Sequence, residues 1–192
     1  MKNEITGMKL RLIVMNFLQF AVWGAYLTSM GTYLFNIGLG AKIGLFYAMQ
    51  GIVSLFMPAI MGIIADRWVP AQKLYGFCHF MAAVFMVAAG WYGYVDGEAV
   101  SFGTLFTFYS LSVAFYMPTL ALTNSVAYTA LDKVKLDPVI AFPPIRIFGT
   151  IGFICSMLLT DILGFQNNYM QFFSCACFGV ILAVYADRKS VV

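Results

Sequence analysis

Charged and turn-forming residues cut the chain into six long apolar stretches, at residues 10–35, 41–64, 71–95, 100–127, 142–164 and 169–186. The breaks between them are short. Ala65-Asp66-Arg67 closes the second stretch, Asp96-Gly97-Glu98 the third and the polar run Asp132–Pro138 the fourth, and Pro143-Pro144 opens the fifth. Apolar residues are continuous within each stretch. The strands of a membrane barrel would instead alternate polar and apolar positions over ~10 residues. A helix needs ~20 apolar residues to cross the hydrocarbon core, and all but the last stretch exceed that. Helices also pair their own backbone groups, as lipid requires. The pattern therefore predicts an all-α integral membrane protein: a short polar head over residues 1–9, then a bundle of six transmembrane helices.

Composition narrows the classes further. Of the 192 residues, 62% are hydrophobic and 10% charged, against ~45–50% and about 25% in soluble domains. A water-facing surface built from such a chain would aggregate. A soluble enzyme, a disordered chain and a secreted disulfide scaffold are excluded. A net charge of +3 is too small to imply nucleic acid, so membrane lipid is the expected surroundings and no nucleic-acid partner is expected. The first apolar stretch is too long for the core of a cleavable signal peptide.

The placement of charge says more than its sum. With the N-terminus inside, Lys2, Lys9, Arg11, Arg67, Lys73, Lys133, Lys135, Arg188 and Lys189 all lie on the inner side, and only Lys42 lies outside. Basic residues in short loops favour the cytoplasmic side. Both termini are therefore expected in the cytoplasm, with the protein multi-pass in the cytoplasmic (inner) membrane.

Arg146 is the exception, a cation inside the fifth stretch. Polar groups in a bilayer are costly and face neighbouring helices or a water-filled cavity. Arg146, Thr150, Phe153 and Met157 recur at helical spacing, so a guanidinium, a hydroxyl and an aromatic ring share one face. Such a face could hold a polar, ring-bearing solute, or Arg146 could snorkel to the boundary. The fourth stretch carries Tyr109, Ser112, Tyr116, Thr119 and Thr123 on one face, and Pro118 predicts a kink there. The first carries Gln19, Trp23, Tyr26 and Tyr33. These faces suggest a shared cavity lined by Gln19, Trp23, Tyr26, Tyr116, Thr119 and Thr123, although Ser and Thr hydroxyls also bond to their own helix backbone. His79, the single histidine, could relay protons or simply bond across helices.

Catalysis finds no support. No zinc-protease, P-loop or dinucleotide-binding motif occurs. Cys78, Cys155, Cys175 and Cys177 all fall in apolar stretches and read as small hydrophobes. No catalytic residue, metal or cofactor is expected. No carboxylate lies deep in any span, so a proton-coupling acid is expected outside this stretch of chain. One back-translation of Asp187–Val192 matches a widely used sequencing adapter, so residues 187–192 are expected to be a non-native tail, with the true chain continuing past Ala186.

Several segments carry a family resemblance. Gly62-Ile-Ile-Ala-Asp66-Arg67 resembles the G-x-x-x-D-R core of the loop after the second helix in the major facilitator superfamily, without that motif's following glycine and paired basic residues. Phe142-Pro-Pro-Ile-Arg-Ile-Phe-Gly-Thr-Ile-Gly-Phe153 resembles the fifth-helix signature of that superfamily's nucleoside:proton symporters. Tyr116–Tyr128, Phe17–Gly24 and Phe56–Asp66 resemble their fourth, first and second helices. The resemblance implies the N-terminal half of a twelve-helix fold, built from two inverted three-helix repeats. It implies proton-coupled uptake of a purine or pyrimidine nucleoside by alternating access. It also implies substrate contacts at Arg146, Thr150 and Phe153, and a gating loop at Gly62, Asp66 and Arg67. The chain is then a fragment whose missing C-terminal half is a needed partner, so it is not expected to be competent alone. A sugar or oligosaccharide symporter of the same superfamily, and a complete six-span membrane protein of non-transport function, remain alternatives.

Overall fold

The computed structural model describes residues 2–187. Its seven helices are α1 (Lys2–Gly24), α2 (Met30–Asn36), α3 (Ile43–Arg67), α4 (Ala71–Asp96), α5 (Phe102–Lys133), α6 (Pro138–Ile162) and α7 (Met170–Asp187). Single 3-10 turns occupy Gly40–Lys42, Gly97–Ala99 and Phe165–Asn167. Among the described residues there are no strands. The spans Glu4–Gly24, Gly40–Arg67, Ala71–Asp96, Phe102–Lys133 and Pro138–Ile162 are long and apolar enough to cross a membrane, and Met170–Ala186 is a shorter apolar helix.

Helix ends depart from the apolar boundaries where cap chemistry outweighs hydropathy. The first stretch is not one helix. α1 begins well before residue 10, and the backbone opens at Ala25–Ser29 before α2 resumes. Neighbours reach the carbonyls freed there: the Thr160 hydroxyl, with one proton, has both Ala25 O (3.0 Å) and Ser156 O (2.9 Å) within reach, and Tyr47 Oη donates to Leu27 O (2.8 Å). Broken backbone at membrane depth persists only where protein groups satisfy it. α5 runs through Tyr128–Lys133 because nothing in that run breaks a helix, and Ala130 and Leu131 are buried. α6 starts at Pro138, not near Phe142. The Asp137 carboxylate accepts from Val139 N–H, and proline at the first helical position needs no donor. Pro143 and Pro144 thus lie inside the helix, and Arg146 sits about two turns past its start.

The helix pairings carry an internal symmetry. α1 packs along α6 and α7, α5 packs along α3 and α4, and α4 packs along α7. Exchanging α1, α3 and α4 for α5, α6 and α7 maps this set of pairings onto itself, as two inverted three-helix repeats would. α1 and α6 approach closely because Gly152 lies against the Phe17 carbonyl, where a Cβ would collide with backbone. Small residues permit such contact between membrane helices. By contrast, α3 buries only Phe46, Gln50 and Met61. Large apolar side chains such as Leu55, Trp91 and Ile140 face outward, as expected of a lipid-facing bundle.

Two apolar clusters fill the interior. One gathers Met30, Tyr33, Met86, Tyr109 and Phe172, the other Leu12, Met15, Cys78, Val126 and Leu182. A thin polar layer on α1, α4 and α5 separates them.

Candidate functional site

Gln19 is the hub of that layer and is fully buried. Its Nε2 donates to Thr119 Oγ1 (2.8 Å). Its Oε1 accepts from Tyr75 Oη (2.7 Å) and lies 2.8 Å from His79 Nε2. An amide oxygen only accepts, so His79 Nε2 must carry the ring proton. Thr119 Oγ1 in turn donates to Tyr116 O (2.6 Å). The Thr123 hydroxyl, with one proton, has both Gln19 Oε1 (3.0 Å) and Thr119 O (2.7 Å) within reach. Tyr116 Oη closes the layer by donating to the Gln19 backbone carbonyl (2.8 Å). His79 is therefore bonded across helices. Its Nδ1 and the Tyr26 hydroxyl have no partner among the described residues. Both residues line an enclosed cavity of about 10 Å³, together with Ser112 and Cys175, roughly the room one water needs.

Of the six residues expected to line a shared cavity, Tyr26 and Tyr116 border this enclosed cavity, and Gln19, Thr119 and Thr123 lie in the polar layer beside it. Gln19, Tyr26, Tyr116, Thr119 and Thr123 are all enclosed. Apart from the unpartnered Tyr26 hydroxyl, they spend their polar groups on one another, which an apolar interior requires. Only Trp23 is partly open. Its Nε1 donates to Gln50 Oε1 (3.0 Å), and Gln50 Nε2 donates to Tyr109 Oη (2.6 Å). The indole is thus fixed in orientation from below.

Above that floor lies a cluster that joins α1 to α6. The Arg146 guanidinium carbon sits 3.8 Å from the centre of the Phe20 ring, a cation–π contact. Phe20 packs on Trp23 (6.4 Å between centroids), and Trp23 meets Tyr116 at 6.3 Å and, edge-on, Phe153 at 6.2 Å. Gly149 makes room for this, since a Cβ there would lie 2.6 Å from Phe20 Cδ2 and 2.8 Å from Arg146 Nη1. Arg146 and Phe153 are half-buried and Thr150 is exposed. The structure brings Arg146 and Phe153 together with Trp23, and Thr150 lies on the open side of the same helix. Sequence reading missed Phe20 and Gln50. Phe20 stands inside the Phe17–Gly24 segment, one turn before Gly24 on the face that meets α6, and that placement was the available signal.

The expected gating residues are also placed differently. Gly62 is within α3, and Asp66 and Arg67 form its last, exposed turn. The connecting segment is only Trp68–Pro70. No proline falls between Gly62 and Arg67, and the next, Pro70, disfavours helix in the residue before it, so the motif sits on a helix end and not in a loop. Among the described residues neither Asp66 nor Arg67 forms an ion pair. The four cysteines are free; Cys175 is buried and Cys177 exposed, on opposite sides of α7. No group of His, Cys, Asp and Glu among the described residues could hold a metal ion. The proposed tail beyond Asp187 lies outside the described residues.

Comparison with known proteins gives a consistent set of similarities. The model of the family described as nucleoside H+ symporter matches residues 6–188. The xanthosine permease of Escherichia coli (strain K12) is 39% identical over 180 residues, covering 92% of this chain and 41% of that protein. The nucleoside permease NupG of the same organism is 38% identical over 182 residues, covering 93% of this chain and 42% of that protein. The crystal structure of nucleoside transporter NupG superposes with a TM-score of 0.85 over 93% of this chain and 43% of that one. The chain thus spans about two-fifths of the length of the relatives it matches.

Proposed function

Because this chain belongs to the nucleoside H+ symporter family, we propose that its six-span bundle forms one wall of a proton-coupled nucleoside transport path. A second bundle supplies the opposite wall, as the share of each relative's length left uncovered suggests. The observation that carries the reading is the Arg146–Phe20–Trp23–Phe153 cluster, a guanidinium and aromatic edges gathered on one half-open face.

A nucleoside presents a flat aromatic base and a hydroxylated sugar. The guanidinium offers several donors in a planar fork, already oriented by the Phe20 ring. Arg146 and Thr150 bind sugar hydroxyls or base carbonyls, and Phe153 presents its ring to the base. Trp23 holds Phe153 edge-on and is itself anchored by Gln50. The enclosed Gln19 layer acts as the rigid floor of this arrangement. Asp66 and Arg67, exposed on the last turn of α3, are placed to pair across to the opposite bundle when the inner side closes. The bundle sits in the cytoplasmic membrane with its N-terminus inside, and rocking against its counterpart alternates access to the site.

Uptake of labelled uridine and of labelled lactose by cells expressing this bundle together with the second bundle tests the substrate. Uridine should accumulate and lactose should not; accumulation of lactose alone would point to a sugar symporter. Orientation is tested separately with a membrane-impermeant thiol reagent. Lys42→Cys should react from outside intact cells and Lys73→Cys only after lysis, and the reverse pattern would overturn the topology.

A further inference from the structure

The first turns of α1 and the turn joining α5 to α6 bound an open cleft of about 640 Å³. Arg11 from α1, Lys133 from the last turn of α5 and Lys135 just beyond it line the cleft, set against one carboxylate, Glu4. Among the described residues none of the three cations forms an ion pair. Like charges from elements far apart in sequence are thus gathered without a protein counter-charge for each.

The backbone holds Lys135 there against its preference. Leu136 N–H donates to Leu131 O (3.1 Å) and Lys135 N–H to Asp132 O (2.9 Å). This is the pair of hydrogen bonds of a Schellman helix end, whose left-handed position is usually glycine. Lys135 occupies it at φ 58, the one non-glycine residue with positive φ among those described. A lysine kept where glycine would sit without strain points to a role for its side chain.

The surroundings indicate what anion would arrive. Leu10, beside Arg11, and Val139 and Ile140, in the first turn of α6 after Lys135, expose large apolar side chains, and Ile5, Met8 and Val134 line the cleft itself. Charge beside exposed apolar surface at the end of membrane spans fits a ligand with an anionic head and acyl tails. Basic pockets between membrane helices take such head groups. A soluble anion would make no use of the apolar part. We propose that this cleft binds the phosphate head group of an anionic phospholipid, held by Arg11, Lys133 and Lys135. The proposal does not rest on the nucleoside reading.

Native mass spectrometry of the full chain in neutral detergent, offered phosphatidylglycerol and phosphatidylcholine at equal concentration, tests it. Phosphatidylglycerol should be retained in clear preference. Each of Arg11→Gln, Lys133→Gln and Lys135→Gln should weaken that retention about fivefold, and Lys42→Gln, at the far end of the bundle beside Phe102, should leave it unchanged. Lys135→Gly is the sharpest variant, because it relieves the strained turn. It should melt at a higher temperature yet hold phosphatidylglycerol less well, a combination that loss of folding cannot produce. Equal retention of the two lipids, or wild-type retention by Lys135→Gly, would overturn the proposal. Displacement of the lipid by glycerol phosphate at matching concentration would also overturn it, by assigning the cleft to a soluble phosphate.

Discussion

The guanidinium of Arg146 lies 3.8 Å from the centre of the Phe20 ring, so the cation in α6 is held by an aromatic face on α1. That contact is worth about 0.5–1 kcal/mol when exposed and about 2 when desolvated. It fixes where the guanidinium points without consuming its hydrogen-bond donors, which stay available to a solute.

Phe20→Leu keeps apolar volume but removes the ring. Arg146 should then lose its orientation, and nucleoside KM should rise about tenfold with the protein's melting temperature little changed. Uptake kinetics paired with a thermal melt check this. Unchanged kinetics would remove Phe20 from the site.

Gly149→Ala should act on the same contact from the other side. Its new methyl group meets Phe20 and the Arg146 guanidinium together, so it should weaken nucleoside uptake at near-normal membrane abundance. Gly62→Ala, in the interior of α3 with open space around the added carbon, should be neutral or stabilise by about 0.4–1 kcal/mol.

Gln19→Leu should be a stability variant above all. It strands Tyr75, His79 and Thr119 in an enclosed layer. Side-chain hydrogen bonds between membrane helices average about 0.6 kcal/mol and reach about 1.7, so losing three predicts roughly 2–4 kcal/mol. Tyr75→Phe, which removes one donor, should cost well under half of that. Denaturation in mild detergent measures both.

Gly152→Val places a branched side chain against the Phe17 carbonyl, where the backbone cannot yield cheaply. Overpacking of this kind costs about 1–3 kcal/mol, and here it would separate α1 from α6. Loss of folded protein from the membrane is the expected outcome, read by size-exclusion of detergent extracts.

Much of the fold could be read from the sequence because lipid imposes one rule on every span. Continuous apolar stretches gave every long helix, with the first stretch dividing into α1 and α2, and the Arg146–Thr150–Phe153 spacing gave one face of α6. The break at Ala25–Ser29 could not be read there. Its freed carbonyls lie within reach of the hydroxyl donors of Thr160 and Tyr47, residues distant in sequence. Burial of the Gln19 layer was hidden for a related reason. Helical spacing shows that Tyr116, Thr119 and Thr123 share a face, but only the packing of α1, α4 and α5 shows that the face meets Gln19 and His79 and not an open cavity. The start of α6 was misplaced because hydropathy masked the Asp137 cap and the Pro138 that follows it.

Nucleoside binding by Arg146 has a direct test. The most direct measurement is labelled uridine uptake by cells expressing this bundle together with the second bundle, with Arg146 intact, as Arg146→Lys and as Arg146→Ala, each normalised to membrane abundance. Uptake with arginine should be protonophore-sensitive, it should fall at least about tenfold in both variants because lysine lacks the planar fork, and the amount of folded protein should be equal throughout. Undiminished uptake by Arg146→Ala would contradict nucleoside binding by Arg146.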